Sequence, residues 1–430
     1  MKKEASASLY DNVRPGYLAL SLILLAVGVS ITIVQYKVPS ILGDVMGAYG
    51  MSSSTGAWLM SIFTAMGIFL SLPTGSLAKR LGPKCVLLLG CAVIAAGSVV
   101  GAFATSAWMM IFSRAIEGVA FVFVTVAGPL AVERYVAPEH RGTANGIWSL
   151  WICLGSVIGS TATPLVFERL GFTGTWLAYA FVVVAAALAL AAFVKVPSAR
   201  ESARMEGGLA EASVAGGAGA DGTTVEGEAA TKVEAAARVT WRDYVALASP
   251  NALLYFFAYL VFNIEILAVL SYTPTFLQSQ GMNASLSGFA SSLPGLLAIV
   301  SALVLGKLID KTGRTKGFYV VAIAVAAPAT FLMLTQSGPL LWVGAALMGL
   351  IGYGIPVACL TSLPQIAGRA ELMPAAMGVL MTVQALGEFL GSLVTPMLLG
   401  PDMTNWMFCG IVIGVLGLIA AAAIAACRFK

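Results

Sequence analysis

Twelve stretches of this chain are each apolar over a length that can cross a lipid bilayer, and that pattern excludes almost every soluble fold. A helix needs about 20 such residues to span the hydrocarbon core. The stretches lie near 16–45, 54–78, 84–104, 107–133, 143–167, 174–196, 250–277, 285–309, 317–335, 339–366, 373–399 and 403–427. A transmembrane barrel would instead leave short alternating segments, so the expected fold class is an all-α membrane protein. Composition agrees. Hydrophobic residues make up 59% of the 430 and charged residues 10%, too little charge to cover a soluble surface of this size. The first apolar run, from Gly16 to Ile33, is longer than the apolar core of a cleavable leader. It is expected to remain as the first span.

Charge in the loops then orients the spans. Of the 24 Lys and Arg residues, only Arg169 falls in a loop on one side, and only Lys37 and Arg114 fall inside spans. The remaining 21 share the other side with the N-terminal tail 1–15, the tail 429–430 and the segment 198–243. By the positive-inside rule that side is cytoplasmic and both termini lie there; a bacterial inner membrane is the expected location. Residues 198–243 are rich in Gly, Ala and Glu and poor in large apolar groups, a composition that cannot bury enough surface to fold. They read as a disordered linker between two bodies, 16–197 and 244–428.

Those bodies repeat one another. At one constant shift along the chain, Gly50-Met51 falls on Gly281-Met282, Gly75 on Gly306, Leu77 on Leu308 and Gly82 on Gly313. At a shift longer by a single position, Gly146 falls on Gly378, Leu154-Gly155 on Leu386-Gly387, Gly159-Ser160 on Gly391-Ser392 and Pro164 on Pro396. Two nearly equal offsets in separate regions imply a duplicated six-helix unit, a plan that places a substrate site near midplane where the halves meet.

Two loops carry a family resemblance. Gly75-Ser76-Leu77-Ala78-Lys79-Arg80-Leu81-Gly82-Pro83-Lys84 resembles the G-x-L-x-D-R-x-G-R-K loop of the major facilitator superfamily. Gly306-Lys307-Leu308-Ile309-Asp310-Lys311-Thr312-Gly313-Arg314 is similar to its second copy, and Arg114-Ala115-Ile116-Glu117-Gly118 resembles the R-x-x-x-G motif of that family's fourth helix. The resemblance implies twelve helices in two pseudo-symmetric six-helix bundles, with spans 1, 4, 7 and 10 lining a central cavity. It also implies a gating role for Gly75, Lys79, Arg80, Gly82, Gly306, Asp310, Gly313 and Arg314. The first loop has Lys79 where the pattern has an acid, which Asp310 retains.

Ionisable groups inside a span are costly and mark function. Five stand there: Lys37, Arg114, Glu117, Glu265 and Glu388. Arg114 and Glu117, three residues apart, share a helix face and can neutralise one another; Lys37 can reach either the cavity or the outer interface. Glu265 and Glu388 fall on Val34 and Ser156 of the other half, so packing demands no acid at either place. Lys37 and Arg114, with Tyr36, Tyr272 and Tyr353, are the expected substrate-binding residues. Glu117, Glu265 and Glu388 are the expected proton carriers, since the sole histidine, His140, lies in a loop.

The six cysteines are scattered without ligand spacing, and no P-loop or nucleophile constellation appears. Neither a metal nor a cofactor is expected, nor an enzymatic activity or a nucleic-acid partner. A transporter of a small organic anion, driven by protons and acting as a monomer in the bilayer, is the leading reading. Proton-coupled efflux of apolar or cationic drugs is the alternative.

Overall fold

The computed structural model describes residues 16–195, 247–369 and 372–428. The tails and the expected linker 198–243 lie outside the described residues. The chain forms α1 (Tyr17–Ala48), α2 (Ser53–Leu81), α3 (Pro83–Ala102) and α4 (Ala107–Tyr135). A 53-residue helix, Arg141–Phe193, follows, interrupted only at Gly171 (φ 63°, ψ −168°), and that interruption divides it into α5 (141–170) and α6 (172–193). Then come α7 (Pro250–Ser279), α8 (Ala284–Thr312), α9 (Thr315–Thr335), α10 (Pro339–Ala367), α11 (Met373–Leu399) and α12 (Trp406–Ala426). The twelve expected passes are present among the described residues.

Local chemistry repeats along with the helices. Ser52 caps α2 by accepting from the Thr55 amide, and its repeat counterpart Asn283 caps α8 by accepting from Ser285 and Leu286. Both satisfy amides that a helix start leaves unpaired. Gly82 and Gly313 close the same two helices with φ of 84° and 65°, a region that side chains other than glycine disfavour. Gly171 finds its counterpart in Met403, which has φ 50°.

Packing repeats as well. In α5, a Cβ on Gly155 would stand 3.0 Å from Val29 O, and one on Gly159 3.0 Å from Ile33 O, both on α1. In α11, Gly387 faces Leu260 O and Gly391 faces Ile264 O of α7, each at 2.6 Å. Every member of the second set occupies the position that the duplication assigns to its counterpart in the first. Gly118 of α4 against Phe63 of α2 is matched likewise by Gly349 of α10 against Pro294 of α8. Lipid gives helices no hydrophobic reason to associate, so backbone contact through small residues carries the packing. With six passes per unit both copies enter the membrane from the same side, and the axis relating them runs along the membrane normal.

The halves meet through α2 on α11 and α5 on α8, pairs that the pseudo-twofold exchanges. Ser392 Oγ donates to Ser61 Oγ at 3.0 Å, and Gln278 Nε2 donates to Ser40 O at 2.9 Å. These contacts lie toward the end away from the linker. There Val38, Ile41, Leu42 and Val45 of α1 join Tyr272, Phe276 and Leu277 of α7 in one core. Nearer the linker end the first half has its own core, built on Leu20, Leu24, Val86 and Val132. The molecule is closed at the far end.

Candidate functional site

Two helices are interrupted within their spans. α1 leaves α-helical geometry after Tyr36 and passes through a 3-10 turn at Pro39–Ile41, where proline has no amide to continue the ladder. α10 breaks at Gly352–Gly354. Tyr36 and Lys37 stand at the first break and Tyr353 inside the second. Interrupted helices of this kind line binding sites in transporters.

Lys37, Arg114 and Glu117 form one buried triad. Lys37 Nζ lies 2.7 Å from Glu117 Oε1, and Arg114 Nη1 lies 2.6 Å from Glu117 Oε2. Ser98 donates to the same Oε1 at 2.6 Å. Lys37 sits 4.4 Å over the Trp176 ring and Arg114 4.4 Å over Phe63. No member exceeds 1% exposure. The Arg114–Glu117 pair anticipated from spacing is therefore real, but Lys37 completes it, and Lys37 neither reaches the interface nor opens into a cavity.

Arg114 is also stitched to backbone. Its Nε donates to Leu59 O, Nη1 to Val34 O and Nη2 to Gln35 O, at 3.2, 3.0 and 3.1 Å. With the bond to Glu117, four of its five N–H groups are engaged among the described residues, leaving one on Nη2. Arg114 lines a small cavity of about 10 Å³ between the halves, together with Gln35, Tyr36, Phe63, Thr64, Leu267 and Ser271.

The duplication supplies a control for the triad. In the repeat register that carries Gly50 onto Gly281, the residues Lys37, Arg114 and Glu117 fall on Ala268, Ala345 and Met348. These are core residues at 0%, 0% and 1% exposure. The second half packs the same positions without charge. Two cations against one carboxylate are thus not a requirement of the fold.

The other two acids part company. Glu388 of α11 is half-buried. Gln384 Nε2 donates to its Oε1 at 3.0 Å, and Tyr259 donates to Gln384 Oε1 at 3.1 Å. Tyr36 and Tyr353 lie within electrostatic reach of it and of each other. Glu265 lies elsewhere. It is fully buried, and neither oxygen has a hydrogen-bond partner. Its carboxyl group fills the space left by Gly417 of α12, beside Ala327 of α9, within the second bundle.

Of the remaining expected site residues, Tyr272 does not join the cavity; it is fully buried and donates to Ser392 O at 2.6 Å, tying α7 to α11. In the loop motifs Arg80 and Arg314 are exposed and Gly75 has open space around it. The side chains of Lys79 and Asp310, and the surroundings of Gly306, lie outside the described residues. Sequence reasoning missed Gln384, Tyr259, Ser98 and Trp176. Only Gln384 had a signal, its spacing of one helical turn before Glu388.

Comparison with known proteins gives a consistent result. The family model described as the Major Facilitator Superfamily matches residues 18–392. The multidrug efflux pump LfrA of Mycolicibacterium smegmatis is 28% identical over 152 residues, 35% of this chain and 29% of that protein. The arabinose-proton symporter of Escherichia coli is 27% identical over 126 residues, 29% of this chain and 26% of that one. The chain thus spans under a third of the length of these curated relatives. A crystal structure of the nucleoside transporter NupG shares the fold, with a TM-score of 0.70 at 14% identity over 95% of this chain and 99% of that one.

Proposed function

The chain belongs to the Major Facilitator Superfamily, and on that premise we propose that it moves a small organic anion across the membrane by alternating access, with proton coupling. The linker side is taken as cytoplasmic, which puts the closed end on the outer side. One observation carries this reading: two buried cations face one carboxylate, and the arginine of the set lines the cavity between the halves with an N–H to spare. A carboxylate or phosphate docking there completes the guanidinium's bonds and balances the excess positive charge. Lys37 contributes from behind, by holding Glu117.

Proton transfer falls to the carboxyls outside the triad. Glu117 is held by two cations and Ser98, whereas Glu265 has no hydrogen-bond partner among the described residues. Burying an unpaired charge is costly, so Glu265 is poised to carry a proton. Glu265→Gln is expected to remove the pH dependence of uptake in proteoliposomes while leaving substrate binding intact.

Binding tests the anion reading itself. Loss of a charge-assisted bond costs about 1.5–3 kcal/mol, so Arg114→Ala is expected to weaken carboxylate binding roughly tenfold to a hundredfold. The Arg114→Ala/Glu117→Ala protein, which loses one charge of each sign, is measured alongside with its thermal unfolding. If that folded variant binds carboxylates as well as the parent does, the anion reading is lost.

A second reading has its own support. Glu388 is half-buried with a single bond from Gln384 and no cation paired with it among the described residues, and an efflux pump for drugs is among the relatives. Export of cationic drugs requires that Glu388→Gln abolish their binding while Lys37→Ala is tolerated.

A further inference from the structure

The central region has two poles, and they come from different halves. Arg114 of the first half lines a cavity with Tyr36, and among the described residues one of its N–H groups has no partner. Glu388 of the second half stands one helical turn before Ser392, whose Oγ meets Ser61 Oγ at 3.0 Å, and Thr64, about one turn after Ser61, lines that same cavity. Gln384 donates to only one oxygen of Glu388, and among the described residues no cation pairs with it. The amide of Gln384 is itself fixed, because Tyr259 occupies its oxygen and so turns its nitrogen toward the carboxylate. Glu388 is therefore held as an acceptor through one oxygen, and its side chain is only half-buried.

Neither pole is needed for packing. The repeat places Ala345 where Arg114 stands and Ser156 where Glu388 stands. Each half thus contributes one charge that the other lacks. A plain anion would satisfy the arginine and leave Glu388 facing an unbalanced cavity; a plain cation would leave the excess charge of the triad. A ligand with an anionic group at one end and an ammonium at the other answers both. Such a ligand also touches both bundles at once, which ties occupancy to their relative movement.

We propose that the substrate is an amino-acid-like zwitterion, its carboxylate on Arg114 and its ammonium on Glu388. This rests on the anion reading and assigns Glu388 to binding, leaving Glu265 as the coupling acid.

The test is binding to the purified full chain of matched series: propionate, β-alanine and propylamine; butyrate, γ-aminobutyrate and butylamine; and longer members of each. An amino carboxylate of fitting length is expected to bind about tenfold or more tighter than its parent carboxylate. Glu388→Gln is expected to erase that advantage by weakening the amino carboxylate alone, with thermal unfolding of the variant confirming its fold. Amino carboxylates that bind no tighter than carboxylates at any length, or an advantage that survives Glu388→Gln, overturn this inference and leave the anion reading standing. Binding of the amines alone overturns both.

Discussion

At the residue scale, the Lys37–Arg114–Glu117 triad is balanced by position and not by number. Glu117 is the hub, with one oxygen on Lys37 and Ser98 and the other on Arg114. Removing it leaves two desolvated cations without a counter-charge, which costs about 3–5 kcal/mol when a buried pair is broken. Glu117→Gln is thus expected to lower the unfolding temperature in detergent more than Lys37→Ala does. The apolar counterparts in the second half suggest a sharper experiment. The triple variant Lys37→Ala/Arg114→Ala/Glu117→Met copies Ala268, Ala345 and Met348, and it is expected to recover the stability lost in Glu117→Gln while transporting nothing. A triple variant that still transports would show the triad to be structural only.

At the element scale, the helices are held at backbone contact by glycines whose neighbours cannot yield. A Cβ on Gly391 would meet the Ile264 carbonyl at 2.6 Å, and a carbonyl inside a helix has nowhere to go. Gly391→Ala is expected to destabilise the second bundle by about 1–3 kcal/mol, seen as a lower unfolding temperature. Gly75→Ala, with nothing within 4 Å, is expected to stay within about 0.5 kcal/mol of the parent. A comparable loss from both would mean that helix propensity, and not backbone contact, sets the cost. Gly417 follows the same logic with a different neighbour, since its missing Cβ makes the room that the Glu265 carboxyl group occupies.

At the scale of the whole molecule, the two bundles are joined at the end away from the linker, and transport requires that joint to open. Ser61 Oγ and Ser392 Oγ, one on each half, stand 3.0 Å apart. In a background with the six cysteines replaced, Ser61→Cys/Ser392→Cys is expected to form a crosslink under oxidation that stops uptake, and a reductant is expected to restore it. Uptake that continues through a fully formed crosslink would show that the far-end joint does not move in the cycle.

The sequence by itself determined the class, the number of passes and the duplication. Spans are read from hydropathy because lipid leaves the backbone no other way to satisfy its polar groups, and the repeat is read from glycines because positive φ and backbone contact admit little else. It also identified the five costly charges, since any charge inside a span stands out against an apolar background. It could not say which of them meet. Lys37 and Glu117 are 80 residues apart, and only the packing of α1 on α4 closes that distance. Glu265 and Glu388 look alike along the chain, each an acid deep in a span. The tertiary structure alone leaves Glu388 half-buried beside Gln384 and packs Glu265 into its own bundle against Gly417, because which face of a helix meets a neighbour depends on how the whole bundle packs.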